Sequence, residues 1–277
     1  MFEPHLYAVF GYPIIHSKSP EVHRAFASLT QQDLIYTKQE VLPADFESVC
    51  NEFFELGGQG LNITLPLKEL AYNYATQLTE RARLAGAVNT LKLESTGEGK
   101  VLGDNTDGAG LVRDIIQNLQ WPIKNKRVLI LGAGGAVRGV LGPLLKEQPD
   151  IICIANRTAS KATVLANAFK KLGNVHGYGF DQMPQEKFDL IINGTSMSLS
   201  GSVPPVTREQ LTKQTCVYDM AYGSKPTPFI VWAKEQGITN TSDGLGMLVE
   251  QAAESFQLWR GVMPNTESVI SMLRDNL

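Results

Sequence analysis

The sequence predicts an α/β protein of two domains, and three observations lead there. The chain has 277 residues, and at roughly 100–200 residues per domain that is material for two. From residue 127 onward, four short apolar runs at 128–131, 151–155, 190–193 and 217–220 alternate with helical segments. Continuous apolar strands alternating with helices mean a parallel sheet covered on both faces. Before residue 127 the rhythm differs: short strands, amphipathic helices and a hairpin signal point to a smaller α/β domain. The expected boundaries are 1–107, completed by C-terminal helices in 244–277, and 108–243 for the doubly wound sheet. The chain would cross between the two near 107–110 and 241–246, which makes those stretches the expected hinge.

Composition excludes several classes. Apolar types make up 43% and charged types 19% of the chain, enough for a real core and unlike a disordered one. Lys and Arg number 25 against 28 Asp and Glu, a net charge of -3 with no long run of either sign. That argues against a nucleic-acid binder and a polybasic membrane surface. No apolar stretch approaches the roughly 18 residues of a spanning helix, and MFEPHLYAVFGYP has no signal-peptide pattern. Cys50, Cys153 and Cys216 form no CxxC, and the four histidines have no metal-ligand spacing. The expectation is a cytoplasmic, reduced, metal-free monomer or homodimer acting on a small molecule.

Along the chain, 6–10 is a short strand followed by a Gly-Pro loop. A helix opens at Ser19-Pro20, read as a hydroxyl N-cap with proline at the first helical position. Phe46, Val49, Cys50, Phe53 and Phe54 trace a helical stripe that Gly57-Gly58 stops. A strand at 61–64 runs into Pro66, a residue suited to start another helix. Strands at 89–93 and 100–102 flank Thr96-Gly97-Glu98-Gly99, a hairpin turn. Leu111, Val112, Ile115, Ile116 and Leu119 mark a bridging helix, and 246–259 and 266–273 are two closing ones.

The run at 128–131 leads into Gly132-Ala133-Gly134-Gly135-Ala136 and a helix. Glycines there allow a tight turn and let the backbone approach a pyrophosphate at the helix N-terminus, as in a Rossmann-like fold. Val137 stands where the fingerprint has Gly or Ala, and an ordinary strand-to-helix turn fits the same residues. The next strand end weighs against that: where an NAD site has Asp or Glu, this chain has Asn156-Arg157-Thr158, with Lys161 a turn later. Arg157 offers a charged planar contact to a 2′-phosphate, so NADP(H) is the cofactor expected. A second glycine pair, Gly244-Leu245-Gly246, follows no apolar run and reads as a loop before a helix.

In the first half, His16-Ser17-Lys18-Ser19-Pro20 places two hydroxyls at i and i+2, on one side of an extended loop, at a helix N-terminus that favours an anion. A small carboxylate suits it, although Ser19 is also explained as a cap. Asn62-Ile63-Thr64-Leu65-Pro66-Leu67-Lys68 sets an amide, a hydroxyl and an amine at a strand end. By composition alone Lys68 reads as a surface lysine, Asn89-Thr90 as a turn and Asp107 as a helix cap.

Taken together these segments resemble the shikimate dehydrogenase family. The resemblance rests on HSKSP at 16–20, NITLPLK at 62–68, AVNT at 87–90 and GDNTDG at 103–108. It continues through GAGGA at 132–136, NRT at 156–158, DMAY with KPTP at 219–228 and DGLGMLVEQA at 243–252, in family order over nearly the whole chain. It implies NADPH-dependent reversible reduction of 3-dehydroshikimate to shikimate, in chorismate and aromatic amino-acid biosynthesis, with the active site in the cleft between the domains. It also implies roles. Lys68 and Asp107 would be the catalytic pair. Ser17, Ser19 and Tyr222 would hold the substrate carboxylate, and Asn62, Thr64, Asn89 and Gln251 the ring hydroxyls or neighbouring groups. Gly132, Ala133, Gly134, Gly135, Ala136, Asn156, Arg157, Thr158 and Lys161 would hold NADP, with Thr195, Met220 and Gly244 near the nicotinamide.

The residue types suit the chemistry. Hydride delivery to a ketone leaves an alkoxide, and a lysine ammonium both stabilises that charge and gives the proton. Three positions depart from the family pattern: Gly194 where Ala is common, no Gly-Met after Ser196, and Lys161 where Arg is frequent. The nearest rival is a quinate/shikimate dehydrogenase using NAD or NADP. A rival of another class is a non-catalytic NADP-sensing protein on the same fold; loss of Lys68 or Asp107 would favour it, and both are present.

Overall fold

The computed structural model describes residues 5–94 and 99–277. The chain divides into two compact units: Met1–Gly110 with Val249–Met272, and Leu111–Leu248 with Leu273–Leu277.

The first unit is built on period-2 alternation. Its elements run β1 (His5–Gly11), α1 (Ser19–Thr30), β2 (Leu34–Glu40), α2 (Phe46–Glu55), β3 (Gly58–Ile63), α3 (Lys68–Tyr74), β4 (Gln77–Leu78), α4 (Glu80–Ala85), β5 (Thr90–Leu93) and β6 (Val101–Asp104). The strands form one mixed sheet in the order β2-β1-β3-β5-β6-β4. Ala8, Phe10, Leu61, Ile63 and Leu91 point to one face and pack with Phe46, Cys50 and Phe53 of α2. Tyr7, Val9 and Tyr36 lie on the other face, as alternation requires. Asn62, between Leu61 and Ile63, shares that second face. The antiparallel pairing of β5 with β6 gives the expected hairpin its strands; residues 96–98 of its turn lie outside the described residues.

Helix starts differ from the sequence reading at two places. Ser19 is not a cap: Lys18 holds the N-cap position without a side-chain bond, and Ser19 is already helical. Ser17 does the local work instead, its Oγ accepting the Ser19 N–H at 3.3 Å. Pro66 does not open a helix either; α3 begins at Lys68, with Leu67 at its N-cap and fully buried.

Helix α5 (Asp107–Arg113) runs into a π-helical turn at Asp114–Asn118. The second unit then follows as β7 (Arg127–Leu131), α6 (Gly135–Lys146), β8 (Ile151–Asn156), α7 (Ala159–Phe169), β9 (Val175–Gly179), β10 (Leu190–Asn193), β11 (Cys216–Asp219), α8 (Pro228–Glu235) and β12 (Thr241–Asp243). Its sheet is parallel throughout, in the order β12-β11-β10-β7-β8-β9. The strand order reverses between β7 and β10, the switch point at which doubly wound sheets bind ligands.

Helices α9 (Leu245–Arg260) and α10 (Glu267–Asp275) close the chain. Gly244-Leu245-Gly246 thus follows a short strand, β12, and enters the helix directly. The last residues belong with the second unit because the Arg274 guanidinium grips both carboxylate oxygens of Asp243, at 2.8 and 2.5 Å. Among the described residues no helix is long and apolar enough to cross a membrane, and no group of His, Cys, Asp or Glu could hold a metal ion.

Candidate active site

In the first unit, two loops meet at the carboxyl ends of parallel strands. Tyr12 after β1 donates its N–H to the Leu65 carbonyl after β3, at 3.1 Å, and the missing side chain of Gly11 makes room for the Thr64 methyl. The Ser17 hydroxyl donates to Ser19 Oγ at 3.2 Å, so the two hydroxyls do share one side. The Thr64 hydroxyl has no partner among the described residues.

Lys68 opens α3 and Asp107 opens α5, and they form an ion pair, Nζ to Oδ2, of 2.6 Å. The lysine side chain is 24% exposed and the aspartate 14%, so the pair is sheltered yet open on one side. Asp107 is no cap; its carboxylate is spent on Lys68 and on Asn89, whose Nδ2 donates to Oδ1 at 2.8 Å. Asn105 supplies the local turn, accepting the Asp107 N–H on its Oδ1. The ammonium keeps two hydrogens without partners among the described residues. Asn89 reaches Gln251 Oε1 at 3.3 Å as well, so Lys68, Asn89, Asp107 and Gln251 form one cluster.

Asn62 is a different matter. It is 6% exposed, its Oδ1 accepts from Tyr36 at 2.7 Å, and its Nδ2 donates to the Asn89 carbonyl, Thr90 Oγ1 and Ser255 Oγ. The protein engages the amide nitrogen and one lone pair of Oδ1, so the side chain is held in one orientation with a single Oδ1 lone pair left over. The supporting residues Tyr36, Thr90, Thr106 and Ser255 were missed. Thr90 and Thr106 stand inside motifs already noted, whereas Ser255 on α9 is marked by no local pattern.

In the second unit a cavity of about 570 Å³ opens at the switch point, lined by Gly132, Ala133, Gly134, Asn156, Arg157, Gly194 and Thr195, with Phe180 and the 196–205 loop. Gly132 has φ +107°, which side chains rarely adopt. Gly134 and Gly135 differ: a Cβ on either would meet nothing. The protein's own packing does not require glycine there, but a ligand brought against the α6 N-terminus does. Gly134 caps α6 without any side-chain bond, which leaves the helix's first N–H groups facing outward. Arg157 and Lys161 are exposed and unpaired among the described residues, ready for an anion. Asn156 donates to the Thr158 carbonyl at 3.0 Å and shapes the turn that carries them. Thr158 and Lys161 lie beyond the cavity's lining, and Gly135-Ala136 are the first turn of α6. These residues fit NADP.

The departures near Thr195 have a structural explanation. Val137 is fully buried, and a Cβ on Gly194 would sit 2.5 Å from its Cγ2 and 3.1 Å from Met220 Sδ. A larger residue at 137 is matched by a smaller one at 194. Beneath this loop, Asp219 is buried, with no cation paired to it among the described residues. Its carboxylate accepts from Asn193 Nδ2, the Ser198 and Thr227 hydroxyls and the Ala221 N–H. Asp219 and Thr227 lie inside the DMAY and KPTP motifs, but their partnership is visible only in the fold. Gly244 packs against the Met220 main chain. Tyr222 has its hydroxyl pKa pushed up by burial and by Asp243.

A dinucleotide cavity at a Rossmann switch point, with a sheltered lysine–carboxylate pair in the other unit, defines a nicotinamide-dependent oxidoreductase of small polar substrates. Known proteins narrow this. The family described as shikimate dehydrogenase substrate binding domain matches residues 9–91, shikimate/quinate 5-dehydrogenase matches 112–218, and the shikimate 5′-dehydrogenase C-terminal domain matches 244–272. The chain is 56% identical to the NADP(+) shikimate dehydrogenase of Cellvibrio japonicus, with 98% of each covered. Among solved structures, an Ael1 enzyme from Pseudomonas putida is 44% identical at TM-score 0.90, covering 97% of this chain and 98% of that one. A shikimate dehydrogenase in complex with NADP+ is 34% identical at TM-score 0.87, covering 99% and 96%. The chain belongs to the shikimate dehydrogenase family.

Proposed function

We propose that this chain reduces 3-dehydroshikimate to shikimate reversibly with NADPH, and that Lys68 is its general acid and base. The observation that carries the mechanism is the Lys68–Asp107 pair at 2.6 Å, braced by Asn89 on the second carboxylate oxygen. Asp107 holds the ammonium in place, while the two remaining hydrogens face a ligand. As the ketone oxygen gains negative charge, Lys68 stabilises it and passes the proton; in the reverse direction it takes the hydroxyl proton back.

Ser17 and Ser19 bind the substrate carboxylate in this reading, with Tyr222 as a further contact. Thr64, Asn89 and Gln251 serve the ring hydroxyls. Residues 132–136 hold the NADP pyrophosphate, Asn156, Arg157, Thr158 and Lys161 its 2′-phosphate ribose, and Thr195, Met220 and Gly244 the nicotinamide side; when bound, the cofactor supplies the hydride. The balanced charge of the chain suits a cytoplasmic monomer or homodimer with no nucleic-acid or membrane partner.

The test is the rate of reduced-nicotinamide formation with shikimate or quinate, each with NADP and NAD. A large preference for shikimate with NADP is the expected result. Comparable rates with quinate and NAD would move the chain to the broader quinate/shikimate activity. NADP binding without turnover would support the sensor reading instead.

A further inference from the structure

We propose that Asn62 and Tyr36 are positioning residues, which brace Asn89, and through it the Lys68–Asp107 pair, by one oriented hydrogen-bond chain. This rests on the assignment of Lys68 as the acid.

The orientation follows from acceptors that have no choice. The main-chain carbonyl of Asn89 only accepts, so the side chain of Asn62 turns its Nδ2 toward it, at 3.3 Å. Its Oδ1 then faces Tyr36, whose hydroxyl must donate, at 2.7 Å. The Ser19 hydroxyl lies near the Tyr36 oxygen without bonding geometry, and opposes the rise that burial imposes on the tyrosine pKa.

The other arm is equally constrained. Nδ2 of Asn62 also reaches Thr90 Oγ1 at 3.2 Å, so that hydroxyl turns its own hydrogen to Asn89 Oδ1 at 2.9 Å. The Thr106 N–H donates to the same oxygen at 2.9 Å. Asn89 therefore presents its NH2 group to Asp107 Oδ1, and Asp107 presents Oδ2 to Lys68. Ser255 contributes from α9, with its own hydrogen given to the Gln251 carbonyl. A reversal at Asn62 would set its oxygen against the Asn89 carbonyl and take away the donor that turns the Thr90 hydroxyl toward Asn89 Oδ1, leaving the Thr106 N–H to hold that oxygen.

Tyr36 is held by packing as well. His23 stacks on it at 4.2 Å between centroids and 6° between planes. The histidine is fully buried, with neither ring nitrogen hydrogen-bonded; the Asn62 amide lies near the ring without bonding geometry. The ring thus fixes the plane of Tyr36 without drawing on the amide.

The experiment compares Asn62→Asp, Tyr36→Phe and Lys68→Ala as purified full-length proteins. Asn62→Asp keeps the shape but puts an acceptor against the Asn89 carbonyl. Its kcat should fall about 10–100-fold, one buried donor lost and one repulsion gained, with a shifted kcat–pH profile and unchanged NADP affinity. Tyr36→Phe keeps the stack and loses only the hydroxyl. Its kcat should fall about 3–10-fold, the usual worth of one hydrogen bond, because the Asn62 amide loses the donor that fixes its oxygen. If Asn62→Asp raises KM alone and leaves kcat and its pH profile as in the parent, Asn62 is a substrate contact and the proposal is wrong. Should that variant not fold, Tyr36→Phe decides, and a parent-like kcat overturns the chain. Lys68→Ala separates the two readings. Parent-like kcat there removes the acid assignment; collapse of Lys68→Ala with an intact Asn62→Asp removes only the positioning role.

Discussion

The two units prepare for their ligands in opposite ways. In the first, nearly every polar side chain around Lys68 and Asp107 is already engaged: Asn89 alone meets Thr106, Asp107 and Gln251. In the second, the glycine turn leaves open space, since a side chain on Gly134 or Gly135 would meet nothing, and Arg157 is exposed. The contrast follows from what each must do. A proton-transfer group needs its position fixed to within a hydrogen bond, and buried side-chain networks supply that. A pyrophosphate needs many N–H donors and close backbone approach, which glycine and a helix N-terminus supply. Side-chain truncation should therefore damage the first unit most, and added side-chain bulk the second.

The largest effect expected is at Lys68. Replacing it by Ala removes both the acid and the partner of Asp107, and kcat should fall by roughly 10²–10⁴, the scale of general acid catalysis. NADP affinity, measured by direct titration, should stay at the parent value. A loss of NADP binding in the same variant would show that the two units are not prepared independently and would break the contrast.

Next is Arg157→Ala. A charged, planar contact to a phosphate is worth about 1.5–3 kcal/mol, so the KM for NADP should rise roughly 10–100-fold while that for NAD barely moves. Lys161 remains in this variant and supports residual selectivity. Equal losses for both cofactors would place Arg157 elsewhere than at the 2′-phosphate.

The braced unit should also respond to acid. Burial pushes the His23 pKa down from 6.5 to about 3, so the folded state keeps the ring neutral while the unfolded chain protonates. The native state is not penalised above pH 6.5, and stability is lost as pH falls from there toward 3. The slope is about 1.4 kcal/mol per pH unit in that window, or about 2 kcal/mol at pH 5. His23→Phe keeps the stack on Tyr36 and should flatten this part of the Tm–pH curve. An unchanged curve would assign the acid sensitivity to groups other than His23.

How much of this was legible in the sequence divides along the same line. The strands β7, β8, β10 and β11 were evident because both their faces are buried, which makes them continuous apolar runs. The strands β2, β9 and β12 were not, because they are sheet edges: LIYTKQE has Tyr36 alone fully buried, and TSD is polar throughout. The glycine turn and NRT were visible for the same reason that the second site is simple, being local and made of consecutive residues. The first site is assembled from distant ones. Asn62 and Ser255 are 193 positions apart and hydrogen-bonded, which no local pattern encodes. That Tyr36, Thr90 and Ser255 hold Asn62 in place is consequently invisible in the NITLPLK stretch itself.

The smallest effect, and the sharpest for the open unit, is at the Val137–Gly194 contact. Adding a methyl in Gly194→Ala presses on Val137 and Met220, and overpacking of this kind costs about 1–3 kcal/mol. Because Gly194 precedes Thr195 in the cavity wall, the strain should also raise the KM for NADP a few-fold, while shikimate binding stays unaffected. Val137→Ala alone empties a fully buried site and should cost about 2 kcal/mol. The double variant returns the methyl to the vacated space, so its loss should be smaller than the sum of the singles by about 1 kcal/mol or more, read from urea unfolding midpoints. Simple additivity would mean that Val137, the departure from the glycine fingerprint, and Gly194, the departure from the family pattern, are unrelated, and that the wall has room for the methyl without Val137 giving way.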